Sequence, residues 1–257
     1  MEQSRALLEQ AGIKIAAISY DSAEILKKFA ELNRIGYPLL SDQGSTVIRR
    51  FGIFNENLLP DMRAYGVPHP VEYLLAPDGT VREKFFVPNY QHRVAGSEVA
   101  MRAQGTAGAN AIHLKSGHVE IVIGLSSREA FAGQELGLIA EFSIAPGWHI
   151  YGAPAPAGYT STAVRFETHH VAGYSFKFPS PQVKRFEALG ETIAVHYGNF
   201  KAVGRVLLKF PLQPADYTLA GTIDLQQCSD TECEGPQIIR FQLPIKIAPT
   251  VPEPKRS

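Results

Sequence analysis

Both cysteines of the 257-residue chain, Cys228 and Cys233, lie in the stretch LQQCSDTECEGPQ, separated by four residues. Two thiols at this spacing can form a structural bridge, contribute to a metal clip, or cycle between dithiol and disulfide. A zinc site needs a second cysteine pair or spaced histidines, which the stretch lacks. Closing a loop of about six residues contributes on the order of 2 kcal/mol in the chain-entropy model, so as a staple the pair is weak. A short bridge at a chain reversal is open to in-line attack by another thiolate. Asp230, Glu232 and Glu234 put negative charge near both sulfurs. This should raise the thiol pKa, making the pair a poor free nucleophile and a better substrate for a docked partner.

The flanking residues place this stretch. Tyr217, Leu219, Ile223 and Leu225 line one face of an entering strand, and Ile239, Phe241, Leu243, Ile245 and Ile247 line one face of the strand that leaves. The cysteines are therefore expected at the mouth of a hairpin, where opposed Cα atoms stand about 4.5–5.5 Å apart and a bridge is easy. Pro244 predicts an edge position for the leaving strand. HVEIVIGLS, ELGLIAEFSI, TAVRFET, YSFKFPS, TIAVHY, GRVLLKFPL, YTLAGTIDLQ and QIIRFQLPIKI are eight short strand candidates. With turn signals between them and no long helix, residues 118–249 predict an all-β immunoglobulin-like sandwich, followed by a tail over 250–257.

Residues 1–93 have a different rhythm. GIKIAAISY reads as a buried strand, and Asp21 with Glu24 reads as a capping box opening a helix that carries Ile25, Phe29 and Leu32. Gly36 and Pro38 end it. STVIRRFG reads as a second helix, and VEYLLAPDGTVREKFF as a hairpin turned by Pro77-Asp78-Gly79. This order predicts an α/β layer fold. Residues 94–117, rich in Ala, Gly and Ser, read as a linker, or as a frayed helix followed by one.

Lys+Arg and Asp+Glu balance at 25 each, which leaves no basic excess for nucleic acid. No apolar run approaches the roughly 18–20 residues of a membrane span, so stable membrane insertion is not expected, and MEQSRALLEQAG lacks the features of a signal peptide. His169 and His170, adjacent on a strand, point to opposite faces and do not favour a shared ion. No glycine-rich phosphate loop or G-x-S-x-G elbow appears. Neither a metal nor a cofactor is expected.

AAISYDSAEILKKFAELNRIGYPLLSDQGSTVIRRFGI and GVPHPVEYLLAPDGTV, within Leu7 to Arg93, resemble the redoxin group of thioredoxin-like proteins, which includes the alkyl hydroperoxide reductase and thiol-specific antioxidant peroxiredoxins. The resemblance implies a thioredoxin-like domain and makes Pro70 the counterpart of the family's cis-proline. Redoxins carry their reactive cysteine on a first strand and helix, of which only the end, MEQSRALLEQAG, has a counterpart here. The expectation is a truncated start and a first domain that is redox-inactive by itself.

GWHIYGAPAP together with IDLQQCSDTECEGPQ, within His118 to Ile247, is similar to the N-terminal domain of the thiol:disulfide interchange protein DsbD. In that family a cysteine pair takes electrons from a membrane-embedded partner and passes them to periplasmic thiol-disulfide proteins. The resemblance makes Cys228 and Cys233 the catalytic redox pair. It makes Trp148, His149 and Tyr151 candidates for the wall beside it, with Asp230 and Glu232 nearby; Trp148 and Tyr151 also suit a sandwich core. It implies thiol-disulfide relay between redox partners, either a membrane-embedded donor or a thioredoxin-like protein, in the periplasm. Two alternatives stand beside it: an antioxidant peroxidase of peroxiredoxin type whose catalytic cysteine is missing from this chain, and a non-catalytic binding module with a structural disulfide.

Overall fold

Period-two alternation fills the second half of the chain and short mixed elements the first. In the computed structural model they form two units, Met1–Ala103 and Gln104–Ser257. Residues 1–62, 65–86, 96–108, 110–186 and 190–249 are described.

The first unit runs α1 (Arg5–Gln10), β1 (Ala17–Ser19), α2 (Ala23–Asn33), β2 (Leu39–Ser41), α3 (Thr46–Arg50), β3 (Val71–Leu75), β4 (Val81–Phe86) and α4 (Gly96–Gln104). β1 and β2 pair in parallel across α2, and β3 with β4 forms an antiparallel hairpin. Its turn follows from Asp78 and Gly79: the Thr80 N–H donates to Asp78 Oδ1 at 2.9 Å, and Gly79 takes a φ of 85°, which only glycine adopts freely. Leu8, Leu74, Phe85, Val99 and Ala100 form the core of this unit.

Three expectations change here. The cap of α2 is Ser22, whose hydroxyl accepts from the Ile25 N–H at 3.3 Å. The Asp21 carboxylate is engaged instead by the Ser19 hydroxyl at 2.6 Å. The stripe of Ile25, Phe29 and Leu32 is 55%, 51% and 83% exposed, while Leu26 is buried. A sheet of two strands is narrow, and α2 meets it at β2. The segment 94–117 is not a plain linker, because it holds α4, whose Val99, Ala100 and Met101 are buried, and a further strand. Its Ala-rich text favours helix, and IHLKS alternates as a strand should.

The second unit contains β5 (Ile112–Ser116), β6 (Val119–Leu125), β7 (Glu129–Ala130), β8 (Glu135–Ile144), β9 (His149–Tyr151), β10 (Ala163–Phe166), β11 (Val171–Lys177), β12 (Gln182–Phe186), β13 (Glu191–Tyr197), β14 (Asn199–Leu208), β15 (Ala215–Leu225), β16 (Gln227–Cys228) and β17 (Gln237–Ile247). They form three sheets, ordered β11-β14-β8-β6-β5, β10-β15-β17-β7 and β12-β13-β9-β16. All eight strand candidates are strands. β6, β8 and β14 bury Ile121, Ile123, Phe142 and Val206, while β15 and β17 bury Leu219, Ile223, Phe241 and Leu243. β17 pairs along its whole length with β15, but β7 reaches only Lys246 and Ile247 on its other side, so the Pro244 position lies beyond β7. Among the described residues no helix is long and apolar enough to cross a membrane.

The β15–β17 hairpin closes at the pair Leu225↔Gln237. The chain between them leaves that sheet, and β16 joins the third sheet by pairing with β9. This change of sheet positions the cysteines.

Candidate redox site

Cys228 and Cys233 are bonded as a disulfide with Cα atoms 4.1 Å apart, and they face one another as an antiparallel bridge. The two sulfurs are not equivalent. Cys228 is 1% exposed and packs with Tyr151, Ile193 and Val195 in a small core; Cys233 is exposed. The expected exposed hairpin tip is therefore half buried, because Cys228 belongs to a strand with neighbours on the third sheet.

The loop between the cysteines is held by its own polar groups. The Ser229 N–H donates to the Glu232 carbonyl at 2.8 Å, and the Ser229 hydroxyl accepts from the Thr231 and Glu232 N–H groups. Two buried glutamines then fix the strand before it. Gln226 accepts from the Thr160 N–H at 3.0 Å and donates to the Glu234 carbonyl at 3.1 Å. Gln227 accepts from the His118 N–H at 2.8 Å and donates to the Ser116 carbonyl at 3.2 Å. Their signal in the sequence was a polar pair interrupting the apolar strand text before Cys228.

β9 supplies the wall. Successive strand residues point to opposite faces, so His149 and Tyr151 share a face, and His149 lies directly opposite Cys228 in the ladder. The Tyr151 hydroxyl is 3.0 Å from Cys228 Sγ and 3.7 Å from Cys233 Sγ. Burial, then the nearby Tyr159 and Glu191, pushes the Tyr151 phenol up to about 12. It remains a protonated donor across the neutral range. His149 is buried against Tyr151, Phe186 and Tyr197. Burial holds its pKa below the ordinary histidine value, with Lys184 adding to the effect and Asp230 opposing it.

His149, Tyr151, Lys184, Phe186, Asp230, Glu232 and the two cysteines line one open cavity of about 390 Å³. The expected wall residues His149 and Tyr151 and the acidic neighbours Asp230 and Glu232 thus meet at the bridge. Trp148 does not line this cavity: half-buried, it stacks on His118 with ring centroids 3.6 Å apart, since its place one residue before His149 directs it to the other face. Pro70 lies in the first unit, at the entry to β3. Among the described residues the cis peptide bonds precede Pro154 and Pro211; the bond before Pro70 keeps the trans form that X-Pro bonds ordinarily favour.

Lys184 and Phe186 on β12 were missed by sequence reading. The Lys184 ammonium bonds to Asp230 Oδ1 at 2.8 Å and lies over the rings of Phe186 and Tyr197. This pairing holds the Asp230 carboxyl below its usual pKa. It also compensates the negative field that the acidic loop text predicts at the sulfurs.

Comparison with known proteins matches the two parts of the chain to different families. Residues 1–84 match the AhpC/TSA family, and residues 124–243 match the family described as thiol:disulfide interchange protein DsbD, N-terminal. Peroxiredoxin Bcp of Escherichia coli strain K12 is 32% identical over 78 residues, covering 30% of this chain and 49% of that protein. A putative peroxiredoxin bcp of Haemophilus influenzae is 28% identical over 85 residues, 33% of this chain and 54% of that protein. The chain spans about half the length of the curated relatives it matches. Among solved structures, the N-terminal periplasmic domain of ScsB from Proteus mirabilis is similar with a TM-score of 0.40 and 16% identity, over 52% of this chain and 50% of that one. The DsbD N-terminal domain of Neisseria meningitidis in its reduced form is similar with a TM-score of 0.29 and 15% identity, over 44% of this chain and 82% of that one. The chain joins an AhpC/TSA-type redoxin segment to a DsbD N-terminal-type domain.

Proposed function

We propose that this chain, which joins a redoxin segment to a DsbD N-terminal-type domain, relays electrons between thiol-disulfide proteins through the Cys228–Cys233 bridge. The observation that carries the reading is the inequality of the two sulfurs. Cys233 is exposed, whereas Cys228 is buried with the Tyr151 hydroxyl 3.0 Å away. A disulfide built only for stability has no use for a hydroxyl aimed at one sulfur while the other faces solvent.

The chemistry follows from that geometry. A partner's thiolate bonds to Cys233 Sγ in line with the bridge, the S–S bond breaks, and Cys228 leaves with the electron pair. The Tyr151 hydroxyl donates to this thiolate, which then takes up a proton. The partner's second thiolate attacks the partner sulfur of the mixed disulfide and releases Cys233, which takes the second proton. The partner ends as a disulfide and the pair as a dithiol, two electrons and two protons richer. Passing those electrons to a client runs the same steps in reverse.

The partners in this reading are dithiol proteins of the thioredoxin-like class or a membrane-embedded donor, and the compartment is the periplasm, where bridges persist. The β16–β9 pairing suits the role by anchoring Cys228 while the loop to Cys233 stays at the surface. The test is reduction of the purified chain by a thioredoxin-fold dithiol protein, and trapping on Cys228→Ser preloaded at Cys233 as the mixed disulfide with thionitrobenzoate, which a single-cysteine form of that protein displaces to leave itself bonded to Cys233. A bridge that no such protein reduces would sink the reading.

The AhpC/TSA match of residues 1–84 favours a second reading, in which the first unit is the thioredoxin-like part of a peroxiredoxin-type peroxidase supplied with electrons by the second. Both cysteines of the chain lie at 228 and 233, so the peroxidatic thiol of that reading is not among them.

A further inference from the structure

We propose that His149 is the proton partner of Cys228, accepting the Cys228 thiol proton in an S–H···N hydrogen bond once the bridge is reduced. This deepens the relay reading and rests on it. His149 and Cys228 are directly opposed across the β9–β16 ladder, so their side chains rise from the same face of the sheet. Both are 1% exposed and both line the same cavity. Tyr151, Phe186 and Tyr197 enclose the imidazole, with ring centroids 5.6, 5.0 and 5.4 Å away. Neither ring nitrogen has a hydrogen-bond partner among the described residues.

A buried ring with both nitrogens unmatched is unfavourable, and such a group calls for a reason. The redox chemistry supplies one. In the disulfide neither sulfur carries a hydrogen; reduction adds one to each, and the Cys228 thiol becomes the donor that the oxidised site lacks. The neutral imidazole is the form that accepts, and burial keeps His149 neutral. The groups facing it are Tyr151 on its own strand, Tyr197 on β13, Lys184 on β12, and Cys228 and Asp230 on β16 and its loop. Lys184 and Asp230 are paired with one another at 2.8 Å, and Arg185 and Glu232 line the same cavity.

An acceptor used by the thiol resists protonation, so His149 titrates lower in the dithiol than in the disulfide. As pH falls through the disulfide-state value, the oxidised form takes up a proton that the reduced form does not. The dithiol share therefore falls toward acid.

The experiment equilibrates the full chain with reduced and oxidised dithiothreitol from about pH 5 to pH 8, spanning the range of histidine titration, and counts free thiols. Dithiothreitol itself loses two electrons and two protons and closes to its cyclic disulfide, so the couple balances. The wild-type dithiol share should fall toward acid. His149→Phe, which suits the aromatic surroundings, should shift the equilibrium roughly fivefold toward the disulfide at neutral pH, the effect of one lost hydrogen bond, and should be flat toward acid. His149→Gln, whose carbonyl accepts without titrating, should keep the neutral equilibrium and lose the acid dependence; it also decides the matter if the Phe variant misfolds. Asp230→Asn should move the acid dependence to lower pH, because the Asp230 charge raises the His149 pKa. A wild-type profile in the His149 variants, or a shift to higher pH in Asp230→Asn, overturns the proposal. A bridge that dithiothreitol does not reduce at any pH overturns the relay reading instead.

Discussion

The Tyr151 hydroxyl reaches both sulfurs of the bridge, 3.0 Å from Cys228 and 3.7 Å from Cys233, and approaches from the buried side. Replacing Tyr151 with Phe keeps the ring that packs on Tyr159 and removes only the donor that meets the leaving thiolate. Hydrogen bonds to charged groups contribute about 1.5–3 kcal/mol, so Tyr151→Phe should slow reduction by dithiothreitol about tenfold or more. Because the phenol is pushed up to about 12, the ratio of wild-type to variant rates should stay constant through the neutral and mildly alkaline range. Equal rates would remove Tyr151 from the mechanism.

Burial predicts an order of reaction after reduction. Cys233 is exposed and Cys228 is not, and a thiol reacts only as far as its thiolate is formed and reached. Iodoacetamide should label Cys233 at least about tenfold faster than Cys228. Peptide mass mapping after a short pulse reads this directly. Equal labelling would mean that the half-buried arrangement does not survive reduction.

The hairpin that delivers the cysteines was legible because β15 and β17 are eleven residues each, with apolar side chains at alternate positions from Tyr217 to Leu225, interrupted at Gly221, and from Ile239 to Ile247. β9 and β16, three and two residues long, are too short for any periodicity to register. Yet they decide which sulfur is buried. Their pairing depends on the chain leaving one sheet for another, a tertiary event with no local signal. Trp148 shows the same limit: the GWHIY text marked the right strand, but only the pleat separates Trp148 from His149. In the first unit the apolar spacing of Ile25, Phe29 and Leu32 correctly marked a helix. Periodicity finds a face, but what covers that face is decided elsewhere in the fold.

Lys184 and Asp230 act on His149 with opposite signs, since Lys184 lowers its pKa and Asp230 raises it. Lys184→Met keeps the aliphatic stem over Phe186 and Tyr197 and should move the His149 titration up, toward the ordinary value. Asp230→Asn should move it further down. The imidazole resonances followed by NMR against pH in the oxidised protein give both shifts. Movement in the same direction would show that packing rather than charge sets the value.

Residues 1–103 contain no cysteine, and peroxide reduction of the peroxiredoxin kind begins with a thiolate. The purified chain should therefore not turn over hydrogen peroxide with dithiothreitol as reductant. Catalytic consumption that survives Cys228→Ser and Cys233→Ser would place an unrecognised peroxidatic group in the first unit.

Gln227 ties the redox strand to the turn between β5 and β6, where its amide meets the His118 N–H and the Ser116 carbonyl. That turn needs Gly117, which has a φ of 52° and whose added Cβ would stand 2.5 Å from Gln227 Nε2. Gln227→Ala leaves these partners unmatched and should cost about 1–3 kcal/mol in denaturant unfolding of the second unit. Gly117→Ala should destabilise in the same direction, through backbone strain and by pushing the amide aside. Because Gln227 immediately precedes Cys228, either change should also loosen the β16–β9 pairing and raise the rate at which reduced Cys228 is alkylated. Lost stability with unchanged Cys228 reactivity would separate the clamp from the redox site.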